Sequence, residues 1–244
     1  MPDIKIKRQK LTTPVEEAYK LLRTNLFFCG RDKKVIAVTS CTMNEGKSTV
    51  SMNLALSLAE DGKRVILIDA DLRNSTMVVK IRCTGEKYGL AYYLSDMVTL
   101  DQIICSTDCE NLDIIMTGRF PPNPAELLGS KTFRNMLDQR SQIYGYVIID
   151  TPPVGSVIVG ASLAESCDGL IIVIEANAVS YRFVQRIKEQ LDKTSCPILG
   201  VILNKVDASA EGYGRYGRYG QYGRYGRYGS YGRYGQYGHQ NDKK

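Results

Sequence analysis

The chain lacks any apolar run approaching the eighteen or more residues of a membrane-spanning helix. Its first ten residues, MPDIKIKRQK, are basic but are not followed by an apolar leader core, so no secretory signal is expected. Its seven cysteines are odd in number and without the spacing of a disulfide framework, which points to reduced thiols in a cytoplasmic protein. Cys105 and Cys109 could share a helix face, but two thiols without further ligands make a weak metal site. Strong charge is also missing from most of the chain. Of the net +6, the last 34 residues (211–244) hold +5, so the body is nearly neutral. That argues against a nucleic-acid-binding face on the folded part, and no nucleic-acid partner is expected. A length of 244 residues suits one well-cored α/β domain and excludes two large ones.

The stretch VIAVTSCTMNEGKSTV, residues 35–50, organises the rest. A β-branched run leads into a small polar loop, then Gly46-Lys47-Ser48-Thr49, then a helix-patterned segment. Strand, loop and helix in that order make a phosphate cradle: loop N–H groups and the positive end of the helix face the phosphates. Lys47 reaches the β/γ-phosphates in such a loop, and Ser48 ligates magnesium. Cys41 stands where the motif's first glycine usually falls, and Met43-Asn44 where Pro-Gly is common. Asn44 is a workable stand-in, because asparagine visits positive φ more readily than most residues. On these residues alone, an ordinary βα turn with a surface lysine is the alternative.

Residues 1–14 read as an extended basic arm ended by Pro14, and residues 15–28 as a helix capped by Thr13. Glu17, Lys20 and Arg23 recur every third position and line one face, either as solvated charges or as a contact with another copy. Residues 64–69 form a strand whose end carries Asp69 and Asp71. Two apart on a strand, these would converge on one site, and a magnesium–nucleotide complex supplies the cation they need. Residues 146–150 form another strand, ending in Asp150-Thr151-Pro152-Pro153, with Asp150 placed to hold magnesium or its water. Strands at 112–116, 170–174 and 198–203, a helix at 181–191 and a short one from Pro124 complete a repeated strand–helix alternation. The fold class is therefore α/β, a three-layer phosphate-loop domain with a mainly parallel sheet. In such sheets ligands bind beyond the carboxyl ends of the strands, where the loop, Asp69, Asp71, Asp150 and Asn204 all fall.

From residue 208 the composition changes. Tyr213, Tyr216, Tyr219, Tyr222, Tyr225, Tyr228, Tyr231, Tyr234 and Tyr237 recur every third residue, each followed by glycine. With so little aliphatic surface, residues 208–244 read as a disordered tail after a domain spanning 15–207. A spacer needs no tyrosine. Arginine with stacked aromatics suits RNA, and phenolic hydroxyls suit phosphate acceptance.

Over residues 15–240 the chain resembles the bacterial tyrosine kinases, the cytoplasmic autokinases of Gram-positive capsule and exopolysaccharide synthesis. The resemblance rests on EAYKLLRTN at 17–25, the phosphate loop, DADLR at 69–73, PPNPAELL at 121–128, DTPP at 150–153 and the tyrosine cluster. The related MinD- and ParA-type ATPases lack such a tail and carry a lysine where Cys41 stands. The resemblance implies ATP-dependent, magnesium-dependent phosphorylation of the tail tyrosines between subunits of a ring, with Glu17, Lys20 and Arg23 at the subunit contact. It also implies a separate membrane activator (a polysaccharide co-polymerase) that recruits the kinase to the inner face of the membrane, and a tyrosine phosphatase. Lys47 with the Asn44, Glu45 and Gly46 amides would hold the phosphates, and Ser48, Asp71 and Asp150 the magnesium. Thr49 would bond the α-phosphate. Asp69 would accept the tyrosine proton or orient magnesium, and Asn204 matches an adenine-contacting position. Lys20 replaces an arginine of the family pattern, and Gly160 an aspartate. The rival readings are a partner-switching ATPase of the MinD/ParA kind without kinase activity, and an RNA-associated protein.

Overall fold

Three neighbouring strands alternate their apolar side chains between the two faces of the sheet. In β2 (Val35–Ser40), Ile36 and Val38 join one cluster while Val35 and Ala37 face the other side. In β3 (Val65–Asp69), Val65 and Leu67 oppose Ile66 and Ile68. Tyr146 and Ile148 oppose Val147 and Ile149 in β7 (Tyr146–Asp150). A strand apolar on both sides has to be covered on both sides, which is the parallel α/β solution. The computed structural model describes residues 4–8, 10–83, 88–154 and 166–206.

The remaining elements among the described residues are β1 (Ile4–Ile6), β4 (Ile81–Cys83), β5 (Ile104–Ser106), β6 (Leu112–Ile115), β8 (Gly169–Glu175) and β9 (Ile198–Asn204), with six α-helices. These are α1 (Thr13–Phe28), α2 (Lys47–Glu60), α3 (Leu90–Leu94), α4 (Pro124–Leu128), α5 (Lys131–Ile143) and α6 (Tyr181–Leu191). The main sheet runs β5-β6-β3-β7-β2-β8-β9 and is parallel except for β5, which pairs antiparallel with β6. Leu26 of α1 and the buried residues of α2 cover one face. Leu90 and Leu94 of α3, Leu128 of α4 and Phe133 of α5 cover the other, and Ile187 and Leu191 of α6 close the β8 side. No helix among the described residues is long and apolar enough to cross a membrane.

Three local expectations change. Ile4 and Ile6 are buried and pair with β4 as a small antiparallel sheet, so the arm contributes to the core. Pro14 starts α1 rather than ending the arm, because a missing N–H costs nothing in a first helical turn; Thr12, not Thr13, stands at the cap. Cys105 lies on β5 and Cys109 in the turn after it, so they share no helix. The tail tyrosines Tyr213 to Tyr237 and Gly160 lie outside the described residues.

Candidate active site

The loop from β2 into α2 turns on two positive-φ residues, Asn44 (φ 64°) and Gly46 (φ 94°). Asn44 adopts the left-handed geometry that its side chain tolerates. At Gly46 a Cβ would meet Asn204 Nδ2 at 2.1 Å, so glycine is required for space as well as for conformation. Four contacts pin the loop. The buried Glu45 carboxylate accepts the Thr42 backbone N–H at 2.7 Å and the Glu175 N–H at 3.5 Å. Asn204 Nδ2 donates to Glu45 O at 2.9 Å, and Lys205 Nζ to Asn44 O at 2.8 Å. The loop amides ahead of α2 are thereby held in a fixed array at the helix N-terminus, the arrangement that favours an anion.

A cavity of about 600 Å³ opens over this loop. Cys41, Thr42, Met43, Asn44, Gly46, Lys47, Ser48 and Thr49 form its floor. Asp71, Arg73, Asn74 and Thr76 flank it on one side, and Pro152, Pro153, Phe183 and Lys205 on the other. Lys47 Nζ sits 2.9 Å from Asp71 Oδ2, both side chains being almost fully buried. A buried pair of this kind persists because each charge compensates the other.

Behind it, Asp69 and Asp150 end adjacent strands in register and are fully buried. Asp150 Oδ1 lies 3.3 Å from the Ser51 hydroxyl, whose single proton it shares with Lys47 O at 2.9 Å, whereas Oδ2 is buried with no hydrogen-bond partner. Burial pushes the Asp150 carboxyl up to about 7, opposed chiefly by the Lys47 charge, and Asp69 up to about 6. A buried carboxylate oxygen without a donor is disposed to take a cation or a water held by one. Among the described residues no group of three or more His, Cys, Asp or Glu could hold a metal by itself. Ser48, Asp71 and Asp150 are the residues that could hold magnesium, which binds through one or two carboxylates together with substrate phosphates.

Several expected residues take other positions. β3 ends at Asp69, so Asp71 is placed by the turn that follows rather than by the two-residue strand period, and both carboxylates act on Asp150 from the same end of the sheet, adding to the burial that raises its pKa. Asp71 lines the cavity, while Asp69 turns away to bond the Ser75 hydroxyl and the Asp71 N–H. The Glu45 side chain points inward, leaving its backbone to the loop. Asn204 does not line the cavity, because its amide braces the loop. On α1, Glu17 and Lys20 form an exposed ion pair at 2.7 Å. Arg23 leaves that face, donating to Ser57 O at 2.9 Å and pairing with Asp61 at 3.1 Å. A helical period places its Cα, but the long side chain reaches across to α2. Lys205, Arg73 and Phe183 were not singled out from sequence. Only the position of Lys205 just past a strand's carboxyl end could have signalled it.

A family model described as AAA domain matches residues 33–197. Tyrosine-protein kinase CpsD of Streptococcus agalactiae serotype III (strain NEM316) is 44% identical over 212 residues, covering 87% of this chain and 90% of that protein. Among solved structures, the chimerical protein CapA2B2 superposes with a TM-score of 0.76 at 30% identity, over 83% of this chain and 92% of that one. The kinase domain of Escherichia coli tyrosine kinase ETK gives 0.74 at 31% identity, over 80% of this chain and 77% of that one.

Proposed function

The chain belongs to the bacterial tyrosine-protein kinases, and from that premise we propose that it phosphorylates tyrosines of its own segment 211–244 in a neighbouring copy. The observation that carries this reading is the buried Lys47–Asp71 pair at the floor of a phosphate-loop cavity, with the partnerless Asp150 oxygen behind it. ATP would supply the γ-phosphoryl group, and magnesium, when bound, would supply charge neutralisation. Lys47, now paired with Asp71, would hold a β/γ-phosphate oxygen, and Ser48, Asp71 and Asp150 would hold magnesium or its waters. The Asn44, Glu45 and Gly46 amides hold the phosphate chain, and Met43, Pro152, Pro153 and Phe183 give the cavity apolar walls. Of the two roles open to Asp69, its burial and its bonds to Ser75 and the Asp71 N–H favour orienting magnesium, by way of the Asp71 segment, over accepting the tyrosine proton.

The copies would assemble through α1, whose Leu21 and Phe28 are exposed beside the Glu17–Lys20 pair. We place the kinase in the cytoplasm, held at the inner face of the membrane by a separate activator, reversed by a tyrosine phosphatase and acting on capsule or exopolysaccharide synthesis. The segment 211–244, at +5, suits an aspartate-bearing site before reaction. Each phosphotyrosine then adds roughly −1.5 to −2, which favours separation of the copies.

The test mixes Lys47→Met protein carrying an intact segment with active protein lacking residues 211–244, in MgATP. Phosphotyrosine on the inactive partner is the expected result. None there, while wild type labels itself, overturns transfer between copies. ATP hydrolysis without any phosphotyrosine would instead mark a partner-switching ATPase.

A further inference from the structure

One lysine far from the phosphate loop in sequence holds one of the loop's hydroxyls. Lys80 closes a 3-10 turn, Met77–Lys80, and its Nζ lies 2.8 Å from Thr49 Oγ1. The turn is fixed from the other side, since the Lys7 N–H donates to Lys80 O at 2.9 Å where β4 leaves to pair with β1. An ammonium has donors only, so Thr49 must be the acceptor in this bond. The hydroxyl proton of Thr49 is therefore committed to pointing elsewhere.

Where it points is restricted. In a helix, a serine or threonine hydroxyl commonly donates to the carbonyl four residues back. Two residues along the same helix, Ser51 does this, to Lys47 O at 2.9 Å. For Thr49 that carbonyl belongs to Glu45, which accepts Asn204 Nδ2 and keeps a second lone pair, so it is the acceptor that competes with a ligand for the hydroxyl proton. Among the described residues none accepts the Thr49 hydroxyl proton, and Thr49 lines the cavity. Burial pulls the Lys80 ammonium down, and the Asp150 carboxylate pulls it back toward the charged form.

We propose that Lys80 is a positioning residue for the nucleotide: by occupying a lone pair of Thr49 it presents the Thr49 O–H as a preset donor to a phosphate oxygen next to those held by Lys47. This rests on the reading of the cavity as a nucleotide site. A preset donor to an anion is worth more than one that must first rotate away from a competing carbonyl. Because a nucleoside diphosphate also carries the α-phosphate, the effect should appear in binding alone, without phosphoryl transfer.

The experiment titrates the full chain with a fluorescent ADP analogue and magnesium, comparing wild type, Lys80→Met, Lys80→Arg, Thr49→Val and the double variant Thr49→Val/Lys80→Met. Lys80→Met and Thr49→Val should each weaken binding about five- to tenfold, the size of one hydrogen bond. The double variant should lose no more than the weaker-binding single, and Lys80→Arg should recover most of the affinity. In kinase assays the Lys80→Met loss should lie in KM for MgATP. Circular dichroism on each variant separates this from loss of fold, which Lys80→Arg would not rescue selectively. Wild-type affinity in Lys80→Met, or multiplying losses in the double variant, overturns the proposal. If wild type binds no MgADP, the nucleotide reading itself fails and the proposal falls with it.

Discussion

The two ends of the main sheet treat their carboxylates in opposite ways. At the amino end, Asp168 Oδ2 accepts the backbone N–H of Lys34 at 2.9 Å and of Val35 at 2.8 Å. There the Tyr144 hydroxyl donates to Asp113 at 2.6 Å, and the Arg64 guanidinium lies 4.9 Å from the Tyr144 ring centre. Burial, then the bond to Asp113, pushes the Tyr144 phenol well above its usual range, so it stays a donor. At the carboxyl end, Asp150 has a buried oxygen with no donor, and burial pushes both Asp69 and Asp150 up. One end pairs its carboxylates with donors and stabilises the fold. The other keeps charged groups in a low dielectric, where a ligand gains most from meeting them.

The largest break in this contrast should come from Asp150→Asn. Removing the carboxylate should cut tail phosphorylation on the order of a hundredfold or more, as the loss of a preorganised charge-stabilising group does. The melting temperature of the metal-free protein should hold or rise, because an uncompensated buried carboxyl is relieved. A melting temperature several degrees lower would show that Asp150 is structural, like its counterparts at the amino end.

The next effect is on pH dependence. Asp69 and Asp150 titrate near 6 and 7 in the folded chain, above the usual carboxyl value near 4 in the unfolded one. Between about pH 4 and 7 the folded state therefore holds more protons than the unfolded state, so these groups make stability fall as pH rises and level off above about 7. For two buried groups the decline is of the order of several kcal/mol. Thermal unfolding in EDTA across this range, for wild type and Asp150→Asn, isolates it: the variant should slope less. Parallel curves would sink the assignment.

At the amino end the signs reverse. Asp168→Ala removes two charge-assisted bonds to the start of β2 and should cost about 2 kcal/mol. Turnover per folded molecule should be unaffected, since Asp168 lies at the opposite end of the strand from the cavity. Urea unfolding gives the first number and active-site-normalised kinetics the second. A loss of turnover without a loss of stability would contradict the division between the two ends.

Much of the carboxyl end was legible because strand periodicity and strand-end position are local signals. β2, β3 and β7 read as apolar on both faces, and the phosphate loop, Asp71 and Asp150 follow from where those strands stop. What escaped depends on contacts between distant segments. Asn204 and Glu45 brace the loop across 159 and 130 residues of chain. The cavity wall at Phe183 and the hold of Lys80 on Thr49 likewise depend on how α6 and the turn before β4 pack. β1, β4 and β5 are three residues each, too short for alternation to mark. Arg23 shares a helical face by spacing, yet its guanidinium chooses α2.

The smallest predicted effect concerns the residue whose geometry was foreseen from its type. Asn44 holds φ at 64°, where a side chain with a Cβ and no compensating local bond costs about 1–2 kcal/mol. Its carbonyl must stay in place to receive Lys205, which is anchored in turn by Glu175 at 2.8 Å. Asn44→Gly meets the same φ without strain and should keep both melting temperature and MgADP affinity close to wild type, offset slightly by the freer unfolded chain. Asn44→Ala keeps the Cβ and loses the tolerant side chain. It should lower the melting temperature by a few degrees, in line with about 1 kcal/mol. It should also weaken MgADP binding a few-fold, because a loop that relaxes toward negative φ turns its amides away from the phosphates. If Ala binds as wild type does and Gly does not, the asparagine side chain itself touches the ligand, and the backbone account of this position is wrong.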